Sequence, residues 1–89
     1  MLDRAFALHP QVALRPEPFG ALAYHYGNRK LTFLKHPDIV HVVRVLADHA
    51  TLREALIAAG IAEARWPVFE RAVASLVESE MLGERALVG

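Results

Sequence analysis

The sequence predicts a small α+β domain of the winged helix-turn-helix type, a three-stranded antiparallel sheet followed by three helices. Three observations carry this expectation. Apolar side chains alternate with a period of two between residues 11 and 34, a Gly27-Asn28 pair separates two of the alternating runs, and apolar residues recur at helical spacing in the later segments.

From Gln11 to Arg15, Val12 and Leu14 alternate with polar or small residues until Pro16 and Pro18 punctuate the chain, which gives a short strand ended by a turn. Gly20 to Tyr26 alternates more clearly, with Leu22, Tyr24 and Tyr26 on one face and Ala21, Ala23 and His25 on the other. Gly27 and Asn28 tolerate the positive φ that a tight hairpin demands, so Lys30 to Leu34 returns as a third strand antiparallel to the second.

Pro37 stops that strand, and Asp38 opens a segment in which Ile39, Val42, Val43 and Leu46 follow i, i+3, i+4, i+7, a helix ending near His49. Its β-branched residues leave a strand reading open. Thr51-Leu52-Arg53-Glu54 has the form of a capping box and starts a second helix, which Gly60 stops after about Ala59. Pro67 suits the first turn of a third helix with the stripe Phe69, Val73, Leu76 and Val77, flanked by Val68 and Ala72 and ended by Gly83. No repeat or linker divides the chain, so residues 1–89 are expected to form one domain with an ordered core of about 9–83.

Composition narrows the function more by exclusion than by sign. Ten Lys and Arg balance ten Asp and Glu, which removes the electrostatic footprint of a nucleic-acid or anionic-membrane binder. The absence of Cys excludes disulfides, thiolate metal sites and cysteine nucleophiles. Residues 1–8 lack the apolar run of a signal peptide and no stretch is long enough to span a bilayer, so a cytoplasmic protein without a membrane partner is the expectation.

The residue types that do chemistry are present without the spacing that chemistry needs. His9, His25, His36, His41 and His49 include no i, i+4 pair, so no metal site is expected, and Asp38 with His41 fits a surface pair as well as an acid-base couple. Ser75 and Ser79 sit on the third helix away from any expected base, and singly scattered glycines cannot cradle a phosphate. No enzyme activity and no cofactor are expected. DNA binding is a rival that the winged-helix reading raises, but the third helix sets Arg71 against Glu70, Glu78 and Glu80, the wrong sign for a phosphate-lined groove.

A three-stranded sheet leaves at least one edge with unpaired backbone groups. Along the third strand Leu31 and Phe33 face one way and Thr32 and Leu34 the other, so both faces carry apolar weight. On the third helix Val68, Ala72, Ser75 and Ser79 form a flank of small side chains beside the buried stripe. An extended peptide could add to the strand edge and drop alternate side chains into a groove there, or the same residues could simply complete a small core.

Residues 9–35, HPQVALRPEPFGALAYHYGNRKLTFLK, closely resemble the N-terminal half of the mycofactocin peptide chaperones, a family within the PqqD-like recognition elements of ribosomally made peptides. The resemblance continues through ADHATLREAL and VFERAVASLVESEML, covering about residues 9–83, with the helical part the more generic. It implies a non-catalytic winged-helix-like domain that binds the leader of a precursor peptide and presents it to a radical S-adenosylmethionine (SAM) maturase. The leader would pair as an added strand with Lys30, Leu31, Thr32, Phe33 and Leu34 and rest against Val68, Arg71, Ala72, Ser75 and Ser79, the helix positions being chosen by periodicity. The YGNRK turn differs from that of more distant PqqD-like sequences, whose detailed contacts are not carried across.

Lys30, Lys35 and Arg71 suit an acidic leader. Thr32→Pro is expected to weaken leader binding if the Thr32 N–H faces the open edge. The same edge could pair with a second copy, so a homodimer is compatible with the sequence. A small DNA-binding winged helix and a purely structural docking domain stay open as rival readings.

Overall fold

The computed structural model describes residues 1–85; residues 86–89, the end of the expected 1–89 domain, lie outside the described residues. Five strands and three helices follow one another as β1 (Ala5–Leu8), β2 (Val12–Glu17), β3 (Gly20–His25), β4 (Leu31–Leu34), α1 (Pro37–Val45), α2 (Leu52–Ala58), α3 (Trp66–Glu78) and β5 (Leu82–Arg85). Strands β2, β3 and β4 form the expected antiparallel meander, while β1 and β5 pair in a second two-stranded sheet.

That second sheet is the main departure from the expected order of strands then helices. Gly83 does not end the third helix; it lies inside β5 opposite Ala7. Helix α3 stops at Glu78 because Glu80 adopts a left-handed conformation (φ 64), letting Met81 N–H reach Leu76 O at 2.8 Å and Glu80 N–H reach Val77 O at 3.0 Å. The same two-bond closure ends α2 at Gly60 (φ 72), with Ile61 N–H on Leu56 O and Gly60 N–H on Ile57 O. One geometry is thus made by the glycine the sequence advertises and by a glutamate it does not.

Residues 1–8 are part of the body. Ala5 and Phe6 are buried, and Leu52 and Arg53, at the start of α2, donate their N–H groups to the carbonyls of Arg4 and Leu2 at 2.9 and 3.0 Å. Arg85 closes the other end of this sheet, its Nε donating to Phe6 O at 3.0 Å and its Nη2 to Leu46 O at 3.1 Å and to His49 O. The guanidinium thereby satisfies carbonyls around the 3₁₀ turn Leu46–Asp48 that follows α1.

The segment with many β-branched residues is helical. His36 caps it, its Nδ1 accepting from Asp38 N–H at 3.3 Å, and Pro37 occupies the first turn where no intrahelical donor is needed. Burying Val40, Val42, Val43 and Leu46 against the sheet outweighs the rotamer freedom they lose. Asp38 pairs with Arg65 at 2.9 Å rather than with His41. In the capping box Thr51 Oγ1 accepts from Glu54 N–H at 3.2 Å, while the Glu54 carboxylate reaches Ala50 N–H at 3.1 Å, one residue before the cap.

The core lies between the meander and the helices. Of the two faces of β3, the small one is inside: Ala21 and Ala23 are buried and His25 is 3% exposed, which lets α1 approach the central strand closely. Phe69, Val73 and Leu76 of α3 pack into this layer, and the Trp66 indole N–H donates to Ile61 O at 3.0 Å.

Candidate peptide-binding groove

Strand β4 is an edge strand, paired only with β3 among the described residues. Its register sets Ala21 opposite Leu34, Leu22 opposite Phe33, Ala23 opposite Thr32 and Tyr24 opposite Leu31. The His25 N–H donates to Lys30 O at 3.0 Å, and because hydrogen-bonded pairs recur every second residue, the Thr32 and Leu34 backbone groups also point at β3. Leu31 and Phe33 therefore turn their N–H and C=O groups to the open edge. The condition attached to Thr32→Pro, a Thr32 N–H facing the open edge, is not met: the phase of the ladder points that group at β3 and gives the outward N–H to Phe33.

Side chains follow the complementary alternation. Thr32 is half-buried and Leu34 buried on the helix side, whereas Leu31 and Phe33 lie on the outer face and are 56% and 57% exposed. Between the edge and the helices runs a groove of about 140 Å³ lined by Thr32, Phe33, Leu34 and Lys35, by Ile39 of α1, and by Ala72, Ser75 and Leu76 of α3. An extended chain added to β4 would place every second side chain over this groove.

The β3–β4 turn fixes where the edge begins. It spans residues 26–30, and the left-handed residue is Arg29 (φ 61), not the Gly27-Asn28 pair. Gly27 is needed for space: a Cβ there would collide with the Gln11 side chain and lie 2.8 Å from the His25 ring. The buried His25 Nδ1 accepts from Gly27 N–H at 3.0 Å and Asn28 N–H at 3.1 Å. Asn28 accepts from Lys30 N–H at 2.9 Å and donates to Ser79 O at 3.4 Å and the Glu80 carboxylate at 3.3 Å, tying the turn to the end of α3. His25→Ala leaves two turn donors without their acceptor and is expected to lower stability by about 2 kcal/mol, read as a lower urea midpoint.

The sequence profile of the peptide chaperone MftB family matches residues 5–83. A peptide chaperone MftB of Mycolicibacterium smegmatis is 54% identical over 80 residues, 90% of this chain and 78% of the relative. The protein of that name from Mycobacterium ulcerans is 52% identical over 80 residues, covering 90% and 73%, and that from Mycobacterium tuberculosis 49% over 83, covering 93% and 76%. The chain belongs to the peptide chaperone MftB family. No solved structure matches it, so the winged-helix likeness stays a sequence expectation. A chaperone's role is non-catalytic, in agreement with the expectation that the chain is not an enzyme.

Of the residues singled out from the sequence, the structure of this family member gathers Thr32, Phe33, Leu34, Lys35, Ala72 and Ser75 around one groove. Lys30 and Leu31 lead into it from the turn. Val68, half exposed, and Arg71, exposed, lie toward the N-terminus of α3 outside the lining. Ser79 caps α3 and donates its hydroxyl to Leu76 O at 3.2 Å, next to the Asn28 tether. Two lining residues were not singled out, Ile39 and Leu76. Both were visible as members of apolar stripes, but a stripe residue at the margin of a core and one at the margin of a groove share the same periodicity. Lys30, Lys35 and Arg71 make no ion pair among the described residues.

Proposed function

We propose that the chain is a cytoplasmic peptide chaperone of mycofactocin biosynthesis that holds the leader of the precursor peptide as an added strand on β4 and presents it to a radical SAM maturase. The observation that carries this reading is the coincidence of an open ladder edge, Leu31 and Phe33, with a groove walled by the small residues Ala72 and Ser75. Main-chain hydrogen bonds supply the affinity, and alternate leader side chains entering the groove supply selectivity. Lys30 at the start of the edge and Lys35 in the groove lining, with Arg71 exposed on α3 outside the lining, favour acidic leader residues and make binding weaken moderately with salt.

Fluorescence anisotropy with labelled leader tests this directly. Saturable binding is expected, with loss of affinity when the leader's backbone amides are N-methylated and no binding of duplex DNA at the same concentration. Binding of DNA but not leader would overturn the reading.

A further inference from the structure

A strand laid on β4 has two faces, and the groove beside α3 receives only one of them. We propose that the edge selects two large apolar leader residues that are neighbours in sequence. One enters the groove, and the other covers a second hollow on the outer face, walled by Phe19, Phe33 and Lys35. This rests on the strand-addition reading above and names the peptide chemistry that the edge takes.

Two observations locate the second subsite. The outer hollow, about 430 Å³, shares Phe33 and Lys35 with the lining of the groove, so the two lie on either side of the same stretch of edge. Its remaining wall is Phe19, in the turn between β2 and β3, whose ring meets that of Phe33 edge to face at 5.7 Å. Both rings are exposed in the free protein, Phe19 at 40% and Phe33 at 57%.

Strand geometry decides what reaches this hollow. An added strand lies about 4.8 Å from β4, and residues directly opposite each other hold their Cβ atoms about 4.5–5.5 Å apart on the same face. The leader residue opposite Phe33 therefore lands on the outer face against the Phe33 ring, while its neighbours, opposite Thr32 and Leu34, turn toward the groove. This alternation holds whichever way the leader runs. Two phenyl rings and the methylene stem of Lys35 give a polar side chain no partner until the ammonium is reached. A polar residue there loses water without compensation, whereas a large apolar one gains burial against both rings.

The test is an alanine scan of labelled leader, read by anisotropy against wild type, Phe19→Ala and Ala72→Phe as double-mutant cycles. Phe19 lies off β4 and outside the groove lining, so Phe19→Ala leaves ladder and groove in place and is expected to weaken leader binding by about tenfold. In wild type, two adjacent leader positions should each cost about tenfold on replacement by Ala. One of them should lose its effect in Phe19→Ala and the other in Ala72→Phe. Unchanged leader affinity of Phe19→Ala, folded by its urea midpoint, overturns the second subsite and leaves strand addition standing; a simultaneous loss of self-association in sedimentation would give the hollow to a second copy. If Phe19→Ala melts early, the scan against wild type decides: a single costly position, or costly positions two apart on one face, overturns the proposal. Failure of wild type to bind leader overturns the chaperone reading and this inference together.

Discussion

Phe33→Pro is expected to reduce leader affinity on the order of 100-fold while the domain stays folded. The ladder phase points the Phe33 N–H at the open edge, so the substitution removes no bond to β3 and proline is tolerated on an edge strand. The bound leader loses one main-chain donor, keeps an unsatisfied carbonyl against the protein, and meets the pyrrolidine ring where its backbone should approach, together about 3 kcal/mol. Phe33→Ala separates backbone from side chain, because it keeps the N–H and should cost far less. Thr32→Pro has a different outcome: it breaks the β3–β4 ladder, so a fall in thermal stability should precede any statement about binding. Equal leader affinity for Phe33→Pro and wild type would mean the peptide does not pair with β4.

Ala72→Phe is expected to reduce leader affinity by about 10- to 100-fold with little change in stability. The groove volume of about 140 Å³ beside Ala72 is open space in the free protein, so a phenyl ring can occupy it without displacing the core. An aliphatic leader side chain that would bury there loses its place, and full burial of such a group is worth about 1.5–3 kcal/mol. Ala74→Phe, on an exposed position of the same helix outside the lining, is the control and should bind leader normally. Titration of labelled leader by anisotropy reads both variants.

Much of this arrangement was legible in the sequence, and the parts that were not have physical reasons. The meander was visible because each of its strands alternates, and α3 because Phe69, Val73 and Leu76 keep helical spacing. Strands β1 and β5 were not, since AFAL is too short to alternate and LGER has no strand character of its own. They form because Ala5 and Phe6 are buried and because Arg85 finds three carbonyls that only the folded chain brings together. The end of α3 was misplaced for a related reason: Glu80 takes the left-handed position that Gly60 takes after α2, and a glutamate there carries no local signal.

The candidate site divides in the same way. Alternation assigned Leu31 and Phe33 to one face and Thr32 and Leu34 to the other, but side-chain alternation says nothing about which backbone groups face β3. That required the register, which is anchored by His25, a residue that alternation sets on the face of Ala21 and Ala23 but whose burial under the turn comes from tertiary packing. Small residues at 72 and 75 indicated room beside the strand, while Ile39 enters the lining from a helix whose distance from β4 no sequence pattern encodes.

The central claim, that the leader becomes a fourth strand on β4, is tested most directly by amide hydrogen exchange of residues 31–34 with and without saturating leader. Thr32 and Leu34, already bonded to β3, should exchange slowly in both states, whereas Leu31 and Phe33 should exchange fast in the free protein and become strongly protected on binding. Fast exchange at Leu31 and Phe33 in the saturated complex, with new protection elsewhere such as along β1 or β5, would contradict it.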